Sequence, residues 1–196
     1  MALAFNTDPV EVVNEALGQL GKADITDLND TTDTVAVKAK RYFLSLLRTM
    51  LRDHDWNFAR ARRTLAQNAA APESEYSYAY ALPDDCLFVR QMNGTDHPSS
   101  QWKIEGRDLI TNDSTVIIKY TRWIDDPNIW CGSFHQAFVT LLAVRFAPAF
   151  DVDNAKASDL YKVHQMQLFD AKAIDGAEGS LEQIQSTALT SDIREE

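Results

Sequence analysis

The chain has 196 residues, enough for one domain with a smaller insertion and for a real hydrophobic core. Hydrophobic residues make up 45% and charged residues 24%, ordinary soluble usage that excludes a disordered or fibrous chain. Acidic residues outnumber Lys and Arg by 29 to 19, a formal net charge of -10, which argues against a protein that grips phosphate backbones by counterion release.

The first residues, MALAFNTDPVEVV, lack the basic start and long apolar run of a signal peptide, so export by a cleaved signal is not expected. Asp8, Pro9 and Glu11 form a helix-start signal. Val10, Val13, Leu17 and Leu20 then recur at helical spacing, and Gly21 supplies the stop. KADITDLNDTTD reads as a polar connection whose apolar pair, Ile25 and Leu28, tucks against the core. A second helix is expected from Thr32 or Asp33 to about His54, with Ala36, Ala39, Phe43, Leu47, Met50 and Leu51 as its inner stripe.

From Trp56 the pattern begins to alternate, and on a strand Arg60 and Arg62 would share a face. After the break AAAPES, YSYAYALP puts Tyr76, Tyr78, Tyr80 and Leu82 on one face of an expected strand. CLFVRQM, two short strands about Gly106 in WKIEGRDLIT, and the β-branched run TVIIKYTRW follow, with Asn93-Gly94 as a turn. Asp125-Asp126-Pro127 repeats the start signal ahead of a third helix carrying Phe134, Ala137, Phe138, Leu141, Leu142 and Arg145, which Pro148 ends. A fourth helix is expected from Asn154 to Ile174 with Leu160, Val163, Gln167, Leu168, Ala171 and Ile174 facing inward. The fold class that results is α+β: a mainly helical bundle of four helices, the last long, with an inserted small antiparallel β subdomain and a flexible C-terminal tail. Residues 1–66 and 125–178 would form the bundle body, 67–124 the insertion, and 179–196 a tail that is disordered or ordered on a partner.

The densest chemistry lies in RTMLRDHDWNFARARR, Arg48 to Arg63. Consecutive side chains point about 100° apart on a helix and to opposite faces on a strand, so Asp53, His54 and Asp55 cannot converge on one ion. His54, His97, His135 and His164 fall in unrelated segments, so no metal is expected. The carboxylate pairs Asp84-Asp85 and Asp125-Asp126 raise the two-carboxylate glycosidase idea, yet each sits beside a proline in turn or cap context. There is no nucleophile elbow, phosphate loop or dinucleotide fingerprint, so no catalytic residue and no cofactor are expected. Cys86 and Cys131 have neither metal-ligand nor redox spacing and point to a reducing compartment. No stretch nears the roughly 18 apolar residues needed to span a bilayer. What is left for contact is a possible protein interface at Arg60, Arg62 and Arg63, and at Leu181 and Ile184 near the C-terminus.

The order of four segments is more specific than any one of them: VNEALGQLGKADITDLND, then LLRTMLRDHDWNFARARRTLA, then YSYAYALPDDCLFVRQMNG, then WKIEGRDLITNDSTVIIKYTRWIDDPNIWCGSFHQAFVTLLAVRFAPAF with its EGRDL hairpin. Together they resemble the tail tubular protein A, or head-to-tail adaptor, family of short-tailed bacteriophages, over roughly residues 9 to 175. The resemblance implies a structural virion protein of the tail or neck, assembled in the host cytoplasm and not an enzyme. Its partners would be a portal protein and a tail nozzle protein, with about twelve copies closing a homo-oligomeric ring on the portal. Viral DNA would pass through the channel without specific binding. The rival expectations are a virion-associated cell-wall hydrolase and another neck or nucleic-acid-binding structural protein.

Overall fold

The structure, a computed structural model, describes the backbone of residues 7–191 and the side chains of residues 7–178. Four helices and two small antiparallel sheets make a mixed α+β chain with a long last helix. It divides into two compact units, residues 1–50 with 124–196, and residues 51–123.

In the helical unit, α1 spans Pro9–Gln19. The Asp8 carboxylate accepts from the Glu11 amide at 2.9 Å, a cap worth about 1 kcal/mol. Its far end closes as a Schellman motif: Lys22 N–H bonds to Leu17 C=O, Gly21 N–H bonds to Gly18 C=O, and Gly21 takes the left-handed φ of 70° that the motif requires. α2 spans Thr34–Asp53. Asp33 accepts from Val35 N–H at its start, and all six expected stripe residues are buried.

α3 spans Gly132–Phe146 and is buried nearly all round, packing against both α1 and α4, Asn154–Ser191. Aromatic rings bind it to α2, with Phe43 edge-on to Phe138 at 5.3 Å between centroids and Trp130 against both Phe134 and Phe138. The Asp126-Pro127 signal does not open α3. Asp126 caps a single 3-10 turn, Pro127–Ile129, and α3 starts five residues later behind Cys131. Arg145, expected on the inner stripe, is exposed, and Leu141 is half-buried.

α4 departs from expectation twice. It runs to Ser191, well past Ile174, at 38 residues about 57 Å long. Its inward face is also shifted in part: Ala171 is buried and Leu160, Gln167 and Leu168 are half-buried as expected, but His164 and Asp175 are buried beside them, whereas Val163 and Ile174 are exposed. His164 Nδ1 lies 3.0 Å from the Ala137 carbonyl, which fixes the phase of α4 on α3.

The β unit begins earlier than the expected residue 67. Strand β1, Arg60–Thr64, joins a four-stranded sheet of order β1-β7-β3-β4, with β3 at Cys86–Met92, β4 at Thr95–Asp96 and β7 at Ile117–Arg122. A second sheet has the order β2-β6-β5: Tyr78–Ala81, Asp108–Thr111 and Trp102–Glu105. The turns at Asn93-Gly94 (φ 48° and 85°) and Gly106 (φ 60°) use the left-handed region that suits glycine and asparagine. Tyr80, Met92, Trp102, Leu109, Ile118 and Tyr120 anchor the core, with Tyr78 and Leu82 packed against it. Tyr76 does not share their face. The alternation breaks at Ser77, and Tyr76 packs instead with Ala79 and Ile110.

Candidate functional site

Two surfaces in the described residues stand out, one on each unit. The first is the outer face of the β1-β7-β3 sheet. Strand register puts Arg60 opposite Thr121 and Arg62 opposite Lys119, and Lys119 opposite Gln91 on the other side. Residues in register share a face, so Arg60, Arg62, Lys119 and Gln91 project together, away from the core side that carries Ala61, Ile118 and Tyr120. Arg90 joins them from β3, its Nε donating to Thr121 Oγ1 at 2.9 Å.

One carboxylate serves this face. Asp55, just beyond the end of α2, has Oδ2 at 3.1 Å from Arg60 and 3.3 Å from Lys119, and Oδ1 at 4.0 Å from Arg90. The Arg90 guanidinium also donates to the carbonyls of Arg52 and His54, both at 2.6 Å, and lies 4.6 Å from the Phe88 ring centroid. It thereby satisfies carbonyls at the C-terminus of α2 that the helix cannot bond itself. Burial lowers the Arg90 pKa from its usual value, and Asp55 opposes that shift.

The triplet Asp53, His54 and Asp55 is therefore split by its surroundings. Asp55 is a sheet anchor, and the His54 ring packs edge-on to Trp56 at 4.6 Å. Among the described residues, no group of three or more His, Cys, Asp or Glu is gathered as a metal set. Asp85, from one of the suspected carboxylate pairs, accepts a hydrogen bond from the Tyr120 hydroxyl at 3.2 Å, while Asp126 caps its turn.

Of the sequence candidates, Arg60 and Arg62 thus stand on one sheet face. Arg63 points to the other, opposite Ile118 at the exposed end of β1. Leu181 and Ile184 lie on the last part of α4, where their side chains fall outside the described residues. Sequence reasoning missed Lys119, Arg90 and Asp55 as members of the cluster. The strand pairings that bring β1, β3 and β7 together join segments roughly thirty to sixty residues apart and leave no local signal. A cleft of about 490 Å³ opens on the same face, lined by Arg62, Lys119, Gln91, Asn93 and Gly94.

The second surface is the outer side of α4. Met166 is 68% exposed and Phe169 74%, and Tyr161, Val163 and Ile174 are exposed beside them. Val163, Met166 and Phe169 follow each other at intervals of three, so their side chains adjoin. No described helix is long and apolar enough to cross a membrane. In comparisons with known proteins, no family model and no curated protein matches the chain.

Proposed function

We propose that the protein is a structural virion component, a head-to-tail adaptor whose copies form a ring between portal and tail nozzle and continue the DNA channel. The observation that carries this reading is the bare apolar row on α4. A helix about 57 Å long that leaves Val163, Met166 and Phe169 uncovered in one copy is built to be covered in an assembly. The resemblance of the sequence to the adaptor family says which assembly. A closed ring needs a heterologous interface, in which one surface of a subunit meets a different surface of its neighbour.

The acidic balance supports the same reading, since a conduit through which DNA must slide works best when few cations retain phosphates. On this reading the protein has no catalytic role and resides in the neck of the particle. Electron microscopy of the protein mixed with its portal tests it. A ring of about twelve copies is the expected image, and a persistent complex of one copy with one portal subunit, or no binding at all, would overturn the proposal.

A further inference from the structure

Arg62 and Lys119 face each other across β1 and β7. Leu65 N–H bonds to Val116 C=O at 2.9 Å, which fixes the ladder's alternation and makes Arg62 and Lys119 a non-hydrogen-bonded pair, the type with the closer side chains. Like charges directly opposite each other destabilise a sheet. Lys119 is offset by Asp55, but among the described residues Arg62 has no ion pair, and Asp96, the nearest carboxylate on β4, is taken up by Gln91 at 2.6 Å. The cleft beside this pair is therefore electropositive and short of one or more carboxylates.

The complementary group is in the same chain. Between Lys22 and Lys38 the sequence carries Asp24, Asp27, Asp30 and Asp33 and no cation. This connection is ordered: the Asn14 side chain clamps Ile25 by both its N–H and its C=O, each at 2.9 Å, and Ile25 and Leu28 are buried beneath it. Asp27, Asp30 and Asp33 each use one carboxylate oxygen, Oδ1, to hold a local turn. Hydrogen bonds from the Thr32 hydroxyl and amide hold Asp30 below the usual carboxylate range. An ordered acidic knob loses little entropy on docking.

The two units differ sharply in charge. Residues 51–123 hold nine Lys and Arg against ten Asp and Glu, which leaves ten against nineteen for the other unit. Nearly all of the chain's net negative charge thus lies outside the unit that carries the cleft.

We infer that, in the ring proposed above, the Arg62–Lys119 cleft of one copy receives the acidic 24–33 connection of its neighbour. The contact joins two different surfaces, as a closed ring requires. The knob is favoured over a DNA phosphate because an acidic chain repels the polyanion as a whole, while the knob brings only a few carboxylates. An arginine-rich β1 edge also discourages indiscriminate strand pairing, which leaves the charged contact to set the register between copies.

The test is site-directed cross-linking of the full chain, with Cys131→Ser removing the half-exposed native thiol. Thr31→Cys is placed in the knob and Thr64→Cys beside Arg62, both at exposed positions that leave the charges intact. Mixing the two variants is expected to give a disulfide-linked dimer that neither forms alone, and a chain carrying both is expected to give a ladder. The yield should fall several-fold when salt rises from about 0.1 to about 1 M, and on Arg62→Glu, and should recover when Arg62→Glu is paired with Asp27→Arg. If assembled protein, on portal particles or self-associated, gives no such cross-link, the contact is wrong and the ring reading stands. A ladder made of open chains supports the contact and overturns the ring. A chain that stays monomeric, alone and on particles, overturns both. Salt-sensitive binding of duplex DNA that Arg62→Glu abolishes, with no cross-link, overturns the contact in favour of a nucleic-acid site.

Discussion

Asp55 shows how one residue holds a surface together. It is only 26% exposed and stands among three cations, of which Arg90 is itself bound to the end of α2. Replacing it by Asn leaves Arg60 and Lys119 poorly compensated in a partly desolvated place. The expected loss is about 2 kcal/mol, below the roughly 3–5 kcal/mol of a fully buried pair because water reaches the site. Urea titration followed by circular dichroism reads it, and an unchanged midpoint would show that solvent already screens the cluster.

His164 sets a pH dependence in the helical unit. Burial is the main cause that lowers its pKa, the Ala137 carbonyl opposes the shift, and Lys172 adds to it. Because the folded value lies below the ordinary value of about 6.5, the unfolded chain takes up the proton first as pH falls. Stability should therefore be fully present above that value and decline below it. His164→Gln keeps a donor for the carbonyl and should flatten the slope of stability against pH between about 7 and 5; identical slopes would remove His164 as the cause. A third residue, Cys86, is buried and its thiol is pushed up to about 11, so native alkylation followed by mass spectrometry should label Cys131 long before Cys86.

At the scale of elements, the sequence was legible where local chemistry decides. The Asp8 cap, the Gly21 stop, the α2 stripe and the turns at Asn93-Gly94 and Gly106 each depend on residues within a few positions of one another, and each is as expected. It was misleading where packing decides. A cap followed by proline suits a 3-10 turn as well as an α-helix, and Asp126 takes the first. On α4, apolar residues occupy both sides, so periodicity alone cannot tell which side meets α3, and the choice of His164 and Asp175 over Val163 and Ile174 is made by the partner helix. Strand β1 was legible only as an alternating stretch after Trp56, because its place in a sheet comes from pairing with β7.

The residues that blurred the phase of α4 are also those that mark its outer side. Phe169→Asp should leave the monomer within about 0.5 kcal/mol of its original stability, since an exposed position has little to lose. The same change should abolish ring assembly on portal particles, as read by sedimentation. Full assembly by a stably folded Phe169→Asp protein would remove the support that the apolar row gives to the adaptor reading.

For the whole molecule, the basic candidate site was half legible: alternation put Arg60 and Arg62 on one face, and only the sheet added Lys119, Arg90 and Asp55. The division of the chain was legible as an insertion but not in its bounds, because the segment from Leu51 to Thr64 belongs by contact to the β unit. That unit, residues 51–123, is one continuous segment with its own core around Trp102, Leu109 and Ile118. Expressed alone, it should give a β-type circular dichroism spectrum and a cooperative thermal transition; a spectrum of unfolded chain would show that it needs the helices.

The same continuity governs the order in which the nascent chain acquires structure. The β unit has all its strands once residue 123 has left the ribosome. Phe43, made earlier, must wait for Phe138 on the far side of that unit before its ring contact forms. The helical core is therefore the last part to close during synthesis, and α2 spends that interval with an apolar stripe that a chaperone can hold.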